Sequence, residues 1–131
     1  MFGGMWESET TLDASWLSGR PQLAIGHFGP ELTGIVRFRD EDLIPRPVCG
    51  CAYLDQVDVD LTNQRFIATN ELCDTPPTVL IWDLTLEDQG ADPRLVGEVR
   101  RANDDTSPAV MVSFRLDDRF VPDDRRELCD R

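Results

Sequence analysis

The strongest constraint in this sequence is a period of two. Val57, Val59 and Leu61 alternate with Asp58 and Asp60, and Leu80, Trp82, Leu84 and Leu86 share one side of a second segment. Val110, Val112, Phe114 and Leu116 do the same near the end of the chain. Successive side chains on an extended backbone point to opposite faces, so this pattern reads as strands with one buried face. No stretch carries an apolar stripe at helical spacing. Turn signals rich in Gly, Pro, Asn and Asp recur at intervals of about ten residues, the rhythm of a sandwich or a barrel.

Eight strands are predicted on this basis: Met5–Leu12, Gln22–Phe28, Glu31–Arg39, Gly50–Asp60, Gln64–Thr69, Thr78–Glu87, Arg94–Arg101 and Ala109–Leu116. Trp6 and Leu12 share a parity, as do Leu32, Gly34, Val36 and Phe38, and Leu95 and Val99. Residues 40–48 and 70–77 read as proline-bearing loops, and a short helical turn is predicted at 123–128. The 131 residues fit one domain, with residues 117–131 as a charged C-terminal tail.

Short sequential connections imply antiparallel neighbours. Eight such strands can close into a barrel whose interior holds side chains or one small ligand. Closure also removes the exposed edges that an open sheet must protect. The fold expected is therefore all-β, an antiparallel eight-stranded up-and-down barrel, with a β-sandwich as the alternative. Gly4-Met5-Trp6 opens the first strand, and Leu32-Thr33-Gly34 begins the strand after a tight turn. The first resembles openings found in up-and-down barrels of the lipocalin and avidin-like kind, and the second resembles avidin-type third-strand openings. That resemblance implies a barrel, a Trp plugging one end of it and a binding role. The other lipocalin turn signature and the avidin ligand set are not visible here.

Asp and Glu outnumber the basic residues 25 to 13, for a net charge of -12. Nucleic-acid backbones attract basic surfaces, so a nucleic-acid partner is not expected. Nor is membrane insertion, because no apolar run approaches the length of a span. A basic protein partner would be steered toward the chain. All basic residues are Arg, which is read as coding bias.

The four cysteines are Cys49, Cys51, Cys73 and Cys129. An even count in a small domain points to disulfides and an oxidising compartment, extracellular or periplasmic. The start of the chain shows no secretory signal, which keeps a cytoplasmic location open. If Leu61 faces Gln64 across a turn at Thr62-Asn63, paired residue numbers sum to about 125. Cys51 then falls near Cys73, which favours a Cys51–Cys73 bridge and leaves Cys49–Cys129 to tether the tail. A register slip would exchange this for 49–73 and 51–129. A four-thiolate zinc site is less favoured, because its usual short Cys-x-x-Cys knuckles are missing.

The candidate ligand-binding residues are Trp6, Trp16, His27, Tyr53 and Trp82. Binding pockets favour aromatics with a few polar groups. Trp6 and Trp82 fall on inward faces, where core packing is the simpler role. His27 shares parity with Leu23 and Ile25 and sits at the end of a strand. No nucleophile can be tied to it by spacing, so no catalytic residue, metal ligand or cofactor is assigned. The acidic stretch Asp55, Asp58 and Asp60 lacks the glycine of a calcium loop and reads as a solvated strand face. Val79, Ile81 and Val96 fall on outward faces, a candidate contact patch.

The function expected is a non-enzymatic, exported binding domain that holds a small apolar ligand or a protein partner. One alternative is an interaction, inhibitor or assembly protein with a filled barrel and a working surface. Another is a barrel enzyme using His27. A cavity, a packed interior or a His–carboxylate cleft would respectively mark the three. The pattern leaves the oligomeric state open.

Overall fold

In a computed structural model of the chain, the described residues are 2–14, 17–28, 30–38, 51–71, 78–87, 92–102 and 108–118. Eleven strands run through them. They are β1 (Gly4–Ser8), β2 (Leu12–Ala14), β3 (Leu17–Gly19), β4 (Pro21–Phe28), β5 (Glu31–Phe38), β6 (Cys51–Tyr53), β7 (Asp55–Asp60), β8 (Arg65–Glu71), β9 (Val79–Glu87), β10 (Arg94–Arg101) and β11 (Val110–Asp118). Nine of them form one antiparallel sheet in the order β6-β5-β4-β1-β11-β10-β9-β8-β7, and β2 and β3 make a separate hairpin.

That order is a meander rolled up on itself. Each long strand pairs with its neighbours in sequence, and β1 joins β11 to bring the two ends of the meander together. Glu9 reinforces this junction. Its backbone N–H donates to the Ser113 carbonyl at 2.8 Å, and its carboxylate accepts from Ser113 Oγ and from Arg94, each at 2.7 Å. The sheet's outer members β6 and β7 are separated in sequence only by Leu54, whose N–H donates to the Gly34 carbonyl on β5. The result is a nearly closed barrel and not a two-layer sandwich.

The sheet holds nine strands where eight were expected, and the reason lies between residues 53 and 58. The stretch expected as one strand, Gly50–Asp60, divides at Leu54. Val59 and Asp60 pair with Phe66 and Arg65, so numbers sum to 125, but Asp55 pairs with Thr69 after a register shift. Gln56 takes a left-handed backbone with φ 47 at this bulge. An extra residue in one strand reverses which parity faces inward. Ala52 and Leu54 are therefore turned inward before the bulge, and Val57 and Val59 after it. The first expected strand, Met5–Leu12, is likewise interrupted after Ser8. Leu12 passes into the β2–β3 hairpin and is buried with the core.

The barrel interior is filled. Trp6, Trp82, Phe2, Phe66 and Phe114 are each at most 1% exposed and belong to one cluster with Leu23, Ile25, Leu80, Leu84 and Leu95. Fully burying a side chain of this kind contributes roughly 1.5–3 kcal/mol from surface removed from water. Phe2 packs edge-on to Phe66 with ring centroids 5.1 Å apart, and its carbonyl accepts the Trp6 indole N–H at 2.8 Å. The expected inward residues Leu32, Val36, Leu95, Val99, Val112 and Phe114 all lie in the core.

Of the cysteines, Cys49, Cys73 and Cys129 lie outside the described residues, and Cys51 is described only as the first residue of β6. No disulfide is seen among the described residues. The predicted helical turn at 123–128 and most of the tail also lie outside them, as does Trp16.

Candidate functional site

Among the described residues, the pairing around the barrel wall is interrupted at Leu54. β8 pairs with β7 as far as Thr69, where the Thr69 hydroxyl also donates to the Asp55 carbonyl at 3.2 Å. Continued in the same register, the next opposed residues would be Tyr53 and Glu71, but among the described residues β6 pairs only with β5 and the end of β8 only with β9. The seam therefore opens between β6 and the end of β8. A cleft of about 370 Å³ occupies it, within the size range of small-molecule sites.

One wall of the cleft is Ala52, Tyr53 and Leu54, continued by Asp55 and Gln56; the other is Thr69, Asn70, Glu71 and Val79. Tyr53 is 55% exposed and stands at the mouth. Asn70 is 2% exposed and lies deep, because its parity on β8 is that of the buried Phe66 and Ala68. Its side-chain oxygen accepts the Trp82 indole N–H at 2.5 Å. Its amide nitrogen, also buried, has no hydrogen-bond partner among the described residues. Among the described residues, the charged groups on the lining are the carboxylates of Asp55 and Glu71.

The expected ligand-binding residues do not converge on one place. Tyr53 lines the cleft, and Trp82 supports it from behind through Asn70. Trp6 is a core residue satisfied by the Phe2 carbonyl. His27 packs against Phe2, with ring centroids 5.3 Å apart, and its Nδ1 accepts the Phe2 backbone N–H at 3.4 Å. His27 is not among the residues lining the cleft. Of the candidate outward patch, Val79 belongs to the cleft wall, while Ile81 and Val96 lie half-buried on the outer face.

In the acidic stretch, Asp60 is taken up by the hairpin turn. Its carboxylate accepts from the Asn63 side chain at 2.7 Å and from the Asn63 backbone N–H at 3.2 Å. These two bonds, the side-chain one foremost, hold the Asp60 carboxyl below its ordinary range. A hydrogen-bonded carboxylate is the favoured form, so protonation is made harder.

Asn70 and Val79 were not among the expected site residues. Asn70 reads as the start of a loop because prolines follow closely. The signal that could have found it is parity: position 70 continues the inward series 66 and 68, and a polar residue there is a buried polar residue.

The fold and cleft together define a filled, nearly closed antiparallel β-barrel with a side entrance. The chain matches no protein-family model, no curated protein and no solved structure.

Proposed function

We propose that this chain is a non-enzymatic binding domain whose ligand sits in the lateral cleft and not along the barrel axis. One observation carries the reading. The axis is filled by side chains that are at most 1% exposed, whereas the seam cleft is lined by Asn70, whose amide nitrogen is buried without a hydrogen-bond partner among the described residues. Five of the nine lining residues are polar or charged, so the cleft is more polar than the usual small-molecule site and offers several hydrogen-bonding groups to one ligand.

Export to an oxidising compartment belongs to the same reading. The β7–β8 register supports the Cys51–Cys73 pairing. Past the bulge, paired numbers sum to 124, and the position opposite Cys51 on that count is 73.

The filled interior favours a second reading, an interaction or inhibitor protein working through its surface. Exposed Tyr53 and Met111 are the apolar groups such a surface would offer first.

Mass spectrometry of the unreduced protein separates these readings. A native mass above the denatured mass by a discrete small-molecule increment is the result expected of the cleft. A bare native protein shifts the assignment to surface recognition. A denatured mass short by a pair of hydrogens per bridge is expected of an exported protein, and a full set of thiols overturns export.

A further inference from the structure

We infer that the seam cleft takes a small amide, seated with its carbonyl oxygen on the side-chain nitrogen of Asn70. The inference rests on the reading of the chain as a binding domain and adds the chemical class of the ligand.

The orientation of Asn70 is set by Trp82. An indole N–H can only donate, so the amide oxygen of Asn70 must face it and the NH₂ group must face the other way. Both residues are buried, with Trp82 at 0% and Asn70 at 2% exposed. The NH₂ group is thus fixed in direction, and it has no acceptor among the described residues. A buried donor left unmade costs roughly 1–3 kcal/mol. The nitrogen is closed off from solvent, so an acceptor oxygen entering the cleft reaches it only as the lining side chains give way; it then removes that cost and meets a donor whose rotamer is already held.

The backbone around the opening supplies the complement. Consecutive residues of an antiparallel strand direct their N–H and C=O groups to alternate sides. Leu54 donates to Gly34 on β5, so the N–H and C=O of its neighbour Tyr53 face the other way, toward the seam. On β8 the ladder to β9 runs through even-numbered residues, as the Leu86 N–H to Gln64 carbonyl bond shows, and the register holds without a shift to Glu71. The backbone groups of Glu71 therefore face the seam from the opposite side. The opening presents donors and acceptors on two facing strand edges, as a missing rung of the ladder would.

An amide fits this arrangement, because its acceptor C=O and donor N–H lie in one plane and point in opposite directions. Ala52, Leu54 and Val79 give it apolar walls, with the Tyr53 ring at the mouth. Carboxylates are disfavoured by Asp55, Glu71 and the net charge of -12. The amide group can come from a peptide or from a small free amide.

The test is an NMR titration of the ¹⁵N-labelled full chain with four probes: N-methylacetamide, a doubly capped trialanine peptide, acetate and tert-butanol. The Asn70 side-chain NH₂ resonances and the Tyr53 and Glu71 backbone amides are expected to move with the first two and not with acetate. Roughly tenfold tighter binding of the capped peptide assigns the amide to a peptide source, and equal binding assigns it to a free small molecule.

Asn70→Asp keeps an acceptor for Trp82 but removes the donor, and should weaken amide binding by about tenfold or more. Val79→Phe fills the cleft without touching the Trp82 bond and should abolish the shifts in a folded protein. Unmoved Asn70 resonances, or binding that survives both variants, overturn the inference. If acetate or tert-butanol moves the cleft resonances while the amides do not, the ligand class is wrong and the binding domain stands. If no probe moves any cleft resonance, the cleft reading falls as well.

Discussion

The Trp82 indole N–H donates to the Asn70 side-chain oxygen at 2.5 Å across the β8–β9 pair, with both side chains buried. This bond joins the core to the cleft, because the residue that satisfies the tryptophan also lines the opening. Asn70→Ala leaves the indole N–H buried and unpaired, and should destabilise the protein by roughly 1–3 kcal/mol. Trp82→Phe removes the donor and leaves a gap. The double variant should lose less than the sum of the two, as expected for residues sharing one bond. Urea unfolding of the four proteins measures this, and strict additivity would show that the bond contributes nothing.

Phe2 sits near the chain start, where residues ordinarily fray. Here it is 0% exposed, stacked against His27 and edge-on to Phe66. Phe2→Ala should cost roughly 3–5 kcal/mol, as for other buried aromatics. The Trp6 N–H keeps its partner in this variant, because the acceptor is the backbone carbonyl. A loss in the unfolding midpoint typical of a surface residue would show that Phe2 is not part of the packed core.

Gly97 on β10 pairs with Leu84 on one side and Val112 on the other. A Cβ there would lie 1.9 Å from the Asp83 carbonyl oxygen. No rotamer relieves a contact with backbone. Gly97→Ala should separate β9 from β10 locally and destabilise by more than the roughly 1–3 kcal/mol of ordinary overpacking. Amide exchange is expected to quicken at Asp83 and Leu84 first. Unchanged protection at those two residues would contradict the close approach.

The Asp60 carboxyl is lowered by the Asn63 side chain and backbone. A folded-state pKa below the unfolded one gives stability that is present above the unfolded value and lost as pH falls through the folded value. Asn63→Ala removes the foremost cause, so the Asp60 titration should move up toward the ordinary carboxylate range. The turn should then loosen at a higher pH on acidification. Carboxyl-detected NMR titration reads both, and an unshifted midpoint would refute the assignment.

Much of the barrel was legible because strands announce themselves by parity. The inward series at Leu80–Leu86 and Val110–Phe114 needed only the local rule that neighbours point to opposite faces. The turn at 61–64 and the register sum of 125 followed from the same rule applied to two adjacent strands. The bulge at Gln56 was not legible. It inserts one residue, and a strand with an insertion still alternates on either side of it.

The all-β class, most of the inward faces and the β7–β8 register could be read from residue order alone, since these depend on contacts between residues near one another along the chain. It took the folded barrel to show that Trp6 and Trp82 pack in the core and do not line a cavity, and that the strand pairing breaks at Leu54. The tertiary structure also decided that Asn70 is buried with its amide nitrogen turned away from Trp82. Those outcomes depend on how strands distant in sequence meet when the sheet closes. A closing sheet sets the remaining space by geometry, and no local pattern records how much of it the side chains take up.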